Sequence, residues 1–386
     1  QRMVRAFRGA SVEPRRGGPV RHTRNLSVAG MVIGLLAMTP AVAAQDGATQ
    51  DGAIISVALD GSGDHDSIAA AIDAATDGDT ILIAPGTYDE VLVIDEDIRL
   101  VGDGDRADVI VSPTAERIDE AVSAARFEDR IPFAVRVTGA APTFAGLSLD
   151  MPPETGVTLI VTGGDPTVID VSIDGAESLL IDGEPTFRDA HIDTYFAVRG
   201  ASPTVEDSEL TGHASVDGPG RTVIRGSILH DGTSASADAV GAYEDNHVLG
   251  VALEVDTGSD MLVSGNLVEG VQGSPAIEVR DPGSSAQVIG NTVRDSVIGI
   301  AVDSDEPGST VSGNTIEDVR IGIHVDSESS VVVEDNTIES TTRGIVLEGD
   351  GPRITGNVIC GEGAAIDIRH GSPAIGSNQI CEALEP

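Results

Sequence analysis

The sequence predicts an all-β protein built as one single-stranded, right-handed parallel β-helix, with a short capping helix at its N-terminal end. Three observations predict this fold. An Asn-centred phrase recurs at a nearly constant interval, an apolar phrase keeps step with it, and no part of a repeat has helical periodicity. Self-similarity at a fixed period of this kind is typical of solenoids, in which each repeat is one supersecondary unit.

The Asn-centred phrase reads GNLV, GNTV, GNTI, DNTI and GNVI in successive repeats. Its asparagines are separated by 25, 23, 22, 21 and 21 residues, and they are Asn266, Asn291, Asn314, Asn336, Asn357 and Asn378. We expect each side-chain amide to hydrogen-bond with the asparagines one coil above and below. We also expect the asparagine itself to take the left-handed backbone bend, which this residue tolerates.

The second phrase reads AIEV, GIAV, GIHV, GIVL and AIDI between residues 276 and 368. Each repeat thus holds two short runs of β-branched residues separated by Gly, Asp, Ser and Pro, as strands and turns are. Strands this short cannot pair within a repeat, so each must pair with its equivalent in the next coil and form long parallel sheets. A right hand is expected because parallel crossovers prefer it.

Residues 1–44 are predicted to be a secretory signal peptide. They carry seven Arg and one acidic residue, an apolar run from Val28 to Met38, and small residues after it. This run is too short to span a bilayer, and no later segment qualifies. We therefore expect a secreted protein, extracellular or in the cell envelope, with a linker at 45–54 and a β-helix domain at 55–386.

The charge of the chain excludes several classes of partner. Without residues 1–44, 16 of the 23 basic and 62 of the 63 acidic residues remain, a net charge of −46, and every basic residue is Arg. Such a charge excludes nucleic acid and anionic lipid surfaces as partners, and it disfavours polyanionic sugars unless cations bridge them. It equally fits solubility in a salty medium.

The two cysteines occupy the same position in successive coils. Cys360 follows Asn357 by three residues, and Cys381 follows Asn378 by three. Stacked positions in a parallel sheet lie about 4.8 Å apart, a distance that a disulfide accepts. An exported protein favours the oxidised form, so we expect a disulfide that clamps the last coil. Two free buried thiols are the alternative.

The N-terminal end begins with a strand at Ile54–Leu59 and a DGSGD loop. A helix is predicted from Ile68 to Thr76, capped by Asp66 or Ser67 and ended by Gly78. This helix suits the open end of the solenoid, where the core would otherwise meet water. A second helical segment, Thr114 to Asp129, is predicted as an insertion on the side of the β-helix.

The motifs DGSGD, PGTYDE and LVGDG, together with the short helix, resemble the opening of pectin methylesterases and other members of the pectin-lyase-like superfamily. The resemblance covers Val57 to Gly104 and implies a right-handed β-helix that acts on polysaccharide. The catalytic motifs of the methylesterases, Gln-Asp-Thr-Leu and Asp-Phe-(Ile/Val)-Phe-Gly, do not occur in this chain. Residues 176–179, Ala-Glu-Ser-Leu, stand where the first would be expected, so a typical pectin methylesterase is not predicted.

Coils that begin with Pro-Thr align a set of polar side chains. One outward column is predicted to hold Ser172, His191, Glu209, Ser227 and His247, and a second to hold Asp174, Asp193, Thr211 and Leu229. Asp193, His191, Asp174 and Glu209 then lie within about 10 Å on one face. They are the candidate catalytic residues, because neighbouring carboxylates raise the pKa of a histidine and of one another.

Further residues are assigned to binding. Tyr195 is the best ring for stacking on a sugar, and Arg199 and Arg225 are placed to bind a substrate carboxylate or to neutralise the cluster. No cofactor or metal is assigned, although two or three of the acids could equally bind calcium. His213, His230 and His324 are predicted to be isolated surface groups. The alternative to a site here is a solvated acidic face.

Two functions remain open. The protein binds or modifies polysaccharide by lyase, hydrolase, esterase or epimerase chemistry, or it is a non-catalytic surface or matrix β-helix used for adhesion or envelope structure. Whether it is an enzyme is therefore undecided. The expected partner is a polysaccharide or a cell-envelope surface, and the expected state is a monomer without a membrane span.

Overall fold

The computed structural model describes residues 52–124, 131–152 and 155–381. The predicted signal peptide and most of the predicted linker lie outside these residues. Within them the chain winds into a solenoid, and corresponding strands of successive coils pair in parallel along three sides. We name these sides sheets A, B and C, in the order in which a coil passes through them.

Five long strands continue from one sheet into the next: Thr143–Asp150, Thr167–Asp182, His191–Arg199, Thr315–Asp326 and Thr337–Glu348. The other strands of sheet A are Ile54–Val57, Thr80–Ile83, Arg99–Gly102, Thr186–Arg188, Thr204–Glu206, Arg221–Arg225, Val240–Glu244, Asp260–Ser264, Ser285–Ile289, Thr310–Ser312, Val332–Glu334, Arg353–Thr355 and Ala374–Ile375. Those of sheet B are Gly86–Tyr88, Val109–Val111, Glu209–Leu210, Ile228–Leu229, His247–Leu249, Leu267–Glu269, Thr292–Arg294, Val358–Gly361 and Gln379–Ile380. Those of sheet C are Leu92–Ile94, Phe133–Val137, Val157–Thr162, Ala214–Asp217, Thr233–Ser236, Leu253–Val255, Pro275–Arg280, Ile298–Asp303 and Ala364–His370.

The core runs along the axis of the solenoid. Each strand turns alternate side chains inward, and the parallel register places an apolar residue on the equivalent residue of the next coil, as Ile192 lies on Leu210 and Leu210 on Leu229. These side chains are at most 1% exposed. Burying each one stabilises the fold by about 1.5–3 kcal/mol. The β-branched alternation in the sequence is the direct cause of this stacking.

The asparagine ladder forms at the turn between sheets A and B, as predicted. The side-chain oxygen of Asn314 accepts hydrogen bonds from the backbone N–H and the Nδ2 of Asn291, at 2.9 and 3.0 Å. The Nδ2 of Asn314 donates to the Oδ1 of Asn336 at 2.9 Å and to the carbonyl of Val288 at 2.9 Å. The pattern repeats from Asn246 to Asn378, so side chains satisfy the backbone groups that the turn leaves without sheet partners.

From Asn246 to Asn357, the left-handed bend belongs to the residue before the asparagine, not to the asparagine as predicted. Gly290 and Gly313 have φ of 66° and 63°, and Asp335, in the equivalent position, has φ of 56°. Glycine takes this conformation without steric cost, and Asp is among the residues that tolerate it. The ladder also extends upstream in a different residue, because Ser208 and Ser227 receive the same backbone hydrogen bonds in the coils that lack Asn.

A helix at Ile68–Ala74 lies at the N-terminal end, with Ile68, Ala71 and Ile72 buried against the first coils. Ser67 caps it by accepting a hydrogen bond from the N–H of Ala70. The carboxylate of Glu90 accepts two further backbone N–H groups of its first turn. The free N–H groups of the helix are therefore satisfied, and its apolar face covers the core.

The inserted segment contains a helix at Ala115–Ala124, after a short 3-10 turn at Arg106–Asp108. Ile118 is buried in the main core. A second, smaller apolar cluster lies apart from this core and includes Ile160, Leu179 and Ala197. No helix in the described ranges is long and apolar enough to cross a membrane.

The last described coil is joined to its predecessor by a disulfide between Cys360 and Cys381, with Cα atoms 4.8 Å apart. This confirms the prediction that the two cysteines stack. Ile368, Ile375 and Ile380, in the last described strands of sheets C, A and B, are 46%, 42% and 51% exposed, so this end lacks the burial that holds the inner coils. The covalent bond therefore holds a part of the chain that burial stabilises little.

Candidate functional site

The parallel register of sheet B brings the predicted catalytic residues together. His191 pairs with Glu209, and Asp193 pairs with Asp174 in the preceding coil. The Nδ1 of His191 lies 3.4 Å from a carboxylate oxygen of Glu209. Asp193 accepts a hydrogen bond from the Thr211 hydroxyl at 2.7 Å. We call His191, Glu209, Asp174 and Asp193 the sheet B cluster.

In the coil after Glu209, the predicted outward columns are wrong at Ser227 and Leu229. Ile228, not Ser227, pairs with Glu209, and Ser227 is 1% exposed. Leu229 belongs to the core and is also 1% exposed. The cause is one extra residue, because Val223 and not Thr222 is the register partner of Thr204.

The same shift puts His230 beside the cluster, so this histidine is not isolated. Its Nε2 lies 2.9 Å from the second carboxylate oxygen of Glu209, which therefore has an imidazole on each side. His324 is also partnered, with its Nε2 3.3 Å from Glu348. The prediction that these histidines stand alone was wrong because the neighbouring coil, not the local sequence, supplies their partners.

The two predicted binding arginines do not join the cluster. Arg199 lies on sheet C, 3.5 Å from Glu177. Arg225 lies on sheet A, where it and Arg188 both contact the carboxylate of Glu206. The two guanidinium groups lower the pKa of Glu206, Arg188 most strongly. Arg225 therefore serves a surface ion-pair network on another side of the solenoid.

Tyr195 lies at the corner between sheets B and C and is 43% exposed. Its ring stacks on the imidazole of His213 in the next coil, with ring centres 5.9 Å apart and planes 17° from parallel. His213 is held in turn by the carbonyl of Asp231 at Nδ1 and by the Ser234 hydroxyl at Nε2, at 2.9 and 3.1 Å. An exposed ring fixed in this way can cover the C–H face of a sugar at little entropic cost. His213, predicted to be isolated, is part of this platform.

An open cleft of about 260 Å³ begins at His213 and continues along the same corner through the following coils. It is lined by His213, Asp231, Gly232, Gly250, Val251, Ala252, Glu254, Val271, Gly273 and Ser274. We call the path from Tyr195 through His213 into this cleft the B–C groove. Three of the lining residues are glycines, which have no side chain to fill the cleft. Glu254 lies on a strand of sheet C and so connects the cleft to the outer face of that sheet.

Beyond the cleft, the outer face of sheet C carries carboxylates around one arginine. The guanidinium of Arg280 lies 3.2 Å from Glu254, 3.0 Å from Asp256 and 3.6 Å from Glu278. Burial is the main cause that raises the pKa of Glu278, with Glu254 and Asp256 adding to it against Arg280. Burial also acts to raise the pKa of Asp256, but hydrogen bonds from Asp281, Thr257 and Arg280 outweigh it and lower that pKa. Glu278 and Asp256 contact the same arginine, and their pKa values are shifted in opposite directions, as those of a catalytic acid and base are.

The raised pKa of Glu278 predicts an effect on stability. Its contribution to stability is present at low pH and is lost as the pH rises through the folded-state pKa, because the folded protein then holds a buried charge. Glu278→Gln should therefore raise the midpoint of thermal unfolding at pH 7, and the gain should shrink as the pH falls toward 4. Glu306→Gln, at an exposed glutamate, controls for removing one negative charge. A lower midpoint than this control at pH 7 would contradict the assignment.

One group in the described ranges has the donor atoms for a metal ion. Ligand atoms of Asp326, Glu348 and His370 lie within 4.8 Å of one another. Glu348, however, already accepts a hydrogen bond from Arg369 at 2.6 Å. The Nδ1 of His370 accepts the N–H of Gly349, so a neutral ring carries its proton on Nε2, the nitrogen 3.4 Å from Glu348. Arg369 and His370 thus act as hydrogen-bond donors around the Glu348 carboxylate, an arrangement that does not suit a metal ion.

Comparison with known proteins agrees with the architecture. The family model for the right handed beta helix region matches residues 244–380. No curated protein matches the chain. Among solved structures, the catalytic domain of a GH87 α-1,3-glucanase in complex with tetrasaccharides is similar with a TM-score of 0.51 and 12% identity, over 87% of this chain and 70% of that one. At this identity the likeness shows the fold alone.

Two further structures have lower TM-scores. A mannuronic acid specific family 6 polysaccharide lyase from human gut microbiota has a TM-score of 0.44 and 12% identity, over 78% of this chain and 82% of its own. A tailspike protein of bacteriophage CBA120 has a TM-score of 0.47 and 10% identity, over 82% and 57%. The stacked parallel sheets, the asparagine ladder and the matched right-handed repeat region lead to one conclusion. The chain folds as a right-handed parallel β-helix.

Proposed function

We propose that this protein binds a polysaccharide along the B–C groove and hydrolyses its glycosidic bonds with carboxylates beside that groove. The observation that carries the proposal is the Tyr195–His213 pair, an exposed ring held by stacking between two groups of carboxylates. The sheet B cluster lies on one side of it. On the other side, Glu254 lines the cleft and is the register partner of Glu278 on sheet C.

The net charge of the protein limits the class of polysaccharide that can bind. A net charge of −40 over the whole sequence repels a chain of uronic acids. Arg199 and Arg280, the arginines near the groove, are already paired with carboxylates. The proposed ligand therefore carries no negative charge of its own. The α-1,3-glucanase domain with a similar fold was solved in complex with tetrasaccharides.

Hydrolysis needs one carboxyl that is protonated and one that is ionised. Glu278, whose pKa burial raises, is the proposed general acid. Asp256, whose pKa is lowered, is the proposed ionised partner, and Glu254 contacts the same guanidinium of Arg280. Asp193 and Asp174 in the sheet B cluster are the second candidate pair, because one strand spacing of about 4.8 Å separates their backbones.

Binding tests the platform. Tyr195→Ala should weaken binding of a neutral or amino-sugar polysaccharide about tenfold, because stacking on a ring contributes about 0.5–1.5 kcal/mol beyond its buried area. Val240→Ala is the matched control, since Val240 is also 43% exposed but lies on sheet A. Affinity electrophoresis in gels containing each polysaccharide measures both variants. The proposal fails if the unmodified protein binds none of them, or if Tyr195→Ala and Val240→Ala behave alike.

Turnover tests the chemistry. The unmodified protein should release reducing ends without unsaturated products. Glu278→Gln should lower this rate by about 10²–10⁴-fold, the usual contribution of a general acid, and retain binding. Asp193→Asn is the parallel variant, and a loss confined to it would move the reaction to the sheet B cluster. Binding without release of reducing ends by the unmodified protein would support instead the non-catalytic role in adhesion or envelope structure.

A further inference from the structure

The cleft in the B–C groove is lined by two acidic residues, Asp231 and Glu254, and the inference drawn from them rests on the proposed function. Asp231 lines the cleft, and its carboxylate makes no ion pair or hydrogen bond with the part of the chain that the structure describes; only its backbone carbonyl is used, by His213. Glu254 lies on the far side, its side chain 26% exposed. A carboxylate without a partner, next to a stacking platform, is an acceptor for a charged donor on a bound sugar.

The groove offers carboxylates but no cation without a partner. Arg199 contacts Glu177, and Arg280 contacts Glu254 and two further acids. The sequence contains no lysine. A uronic acid placed here would meet like charges, whereas a sugar with a free amino group would place an ammonium beside Asp231.

The arrangement along the axis fits a chain rather than a single sugar. Tyr195 and His213 belong to consecutive coils, and the cleft spans the next three, through segments 231–232, 250–254 and 271–274. Coils in a parallel sheet are about 4.8 Å apart. A polysaccharide lying parallel to the axis would therefore stack one sugar on Tyr195 and set a later sugar in the cleft.

We propose that the groove selects a polysaccharide that carries free amino groups, with the Asp231 carboxylate in the cleft binding an ammonium group of the ligand. The acidic surface as a whole does not carry this proposal. It stands on one exposed residue of the cleft lining, Asp231, whose carboxylate has no partner among the described residues, and on the stacked ring pair from which the cleft continues.

The test uses two oligosaccharides that differ only at nitrogen, a hexamer of β-1,4-linked glucosamine and the same hexamer fully N-acetylated. Calorimetric titration is done at the lowest salt concentration at which circular dichroism shows the folded protein. The glucosamine hexamer should bind at least about tenfold more tightly. Asp231→Asn should remove most of this difference and leave the affinity for the acetylated hexamer unchanged.

A second variant fills the cleft. A Cβ at Gly273 meets nothing within 4 Å, and its backbone is not left-handed, so Gly273→Leu should fold normally. It should weaken both hexamers. No effect of Gly273→Leu on either hexamer would overturn the placement of the sugar in the cleft.

The remaining outcomes separate this inference from the proposed function. Equal binding of the two hexamers would overturn the amino-group selection and leave sugar binding intact. If neither hexamer binds but a neutral glucan does, the selection fails and the proposed function stands; if no polysaccharide binds at all, both fail. A lysine hexapeptide that binds as tightly as the glucosamine hexamer, and loses affinity with Asp231→Asn, would also overturn the proposal, because the cleft would then recognise charge without the sugar.

Discussion

Replacing Asn314 with alanine is expected to lower the free energy of unfolding by about 3–5 kcal/mol, because each buried polar group left without a partner costs about 1–3 kcal/mol. Asn314 is 1% exposed. Its side chain accepts two hydrogen bonds from Asn291 and donates to Asn336 and to the carbonyl of Val288. Removing it leaves several of these groups buried without a partner and opens a cavity at the turn. Urea titration followed by circular dichroism measures the loss.

Asn378→Ala is the matched control at the end of the ladder. Asn378 accepts the same two hydrogen bonds from Asn357 but is only partly buried, so water can replace what is lost. The expected loss there is about 1 kcal/mol, the usual net value of a hydrogen bond. Equal losses for the two variants would show that the ladder contributes by local turn preference alone and not by stacking.

Removing the disulfide is expected to release the last coil. In Cys360→Ser/Cys381→Ser, a loop closed over 21 residues becomes open, which corresponds to about 3 kcal/mol in the chain-entropy account. The loss should be local, because this coil contacts the rest of the solenoid on one side and buries little apolar surface. Amide hydrogen exchange should speed up across 364–380, with no change at 298–303 in the middle of the β-helix.

A matched control for this variant keeps the covalent bond and removes a buried contact of the same coil pair. Ile359→Val shortens a core side chain next to Cys360. It should lower the free energy of unfolding by about 0.5–1.5 kcal/mol, without a speeding of amide hydrogen exchange that is confined to 364–380. If the double serine variant unfolds globally at the same denaturant concentration as the unmodified protein and its last coil exchanges no faster, the disulfide has no clamping role.

The fold was predictable from the sequence because one repeat dictates the next. Asn266, Asn291 and Asn314 recur with the same neighbours, and stacking along an axis turns that recurrence directly into contacts. The capping helix followed from Ser67 and from its apolar face. The disulfide followed from position in the repeat, since Cys360 and Cys381 keep the same offset from the ladder.

The candidate site was predictable only in part. His191 and Glu209 were aligned correctly, because their coils differ in length by little and carry the same Pro-Thr start. One extra residue before Val223 shifted the next coil, and this hid the contact between Glu209 and His230. No sequence signal marks the cleft, since its lining comes from three coils whose turns differ. The pairing of Tyr195 with His213 could have been found from their 18-residue separation, close to one coil length.

The central claim is that a polysaccharide lies along the B–C groove, and hydrogen exchange of the protein with and without a bound oligosaccharide tests it most directly. Exchange should slow in the segments around Tyr195 and His213 and in 231–232, 250–254 and 271–274, which line the groove. The strands 260–264 and 285–289 of sheet A should be unchanged. Slower exchange confined to sheet A, or spread evenly over all three sheets, would contradict the account.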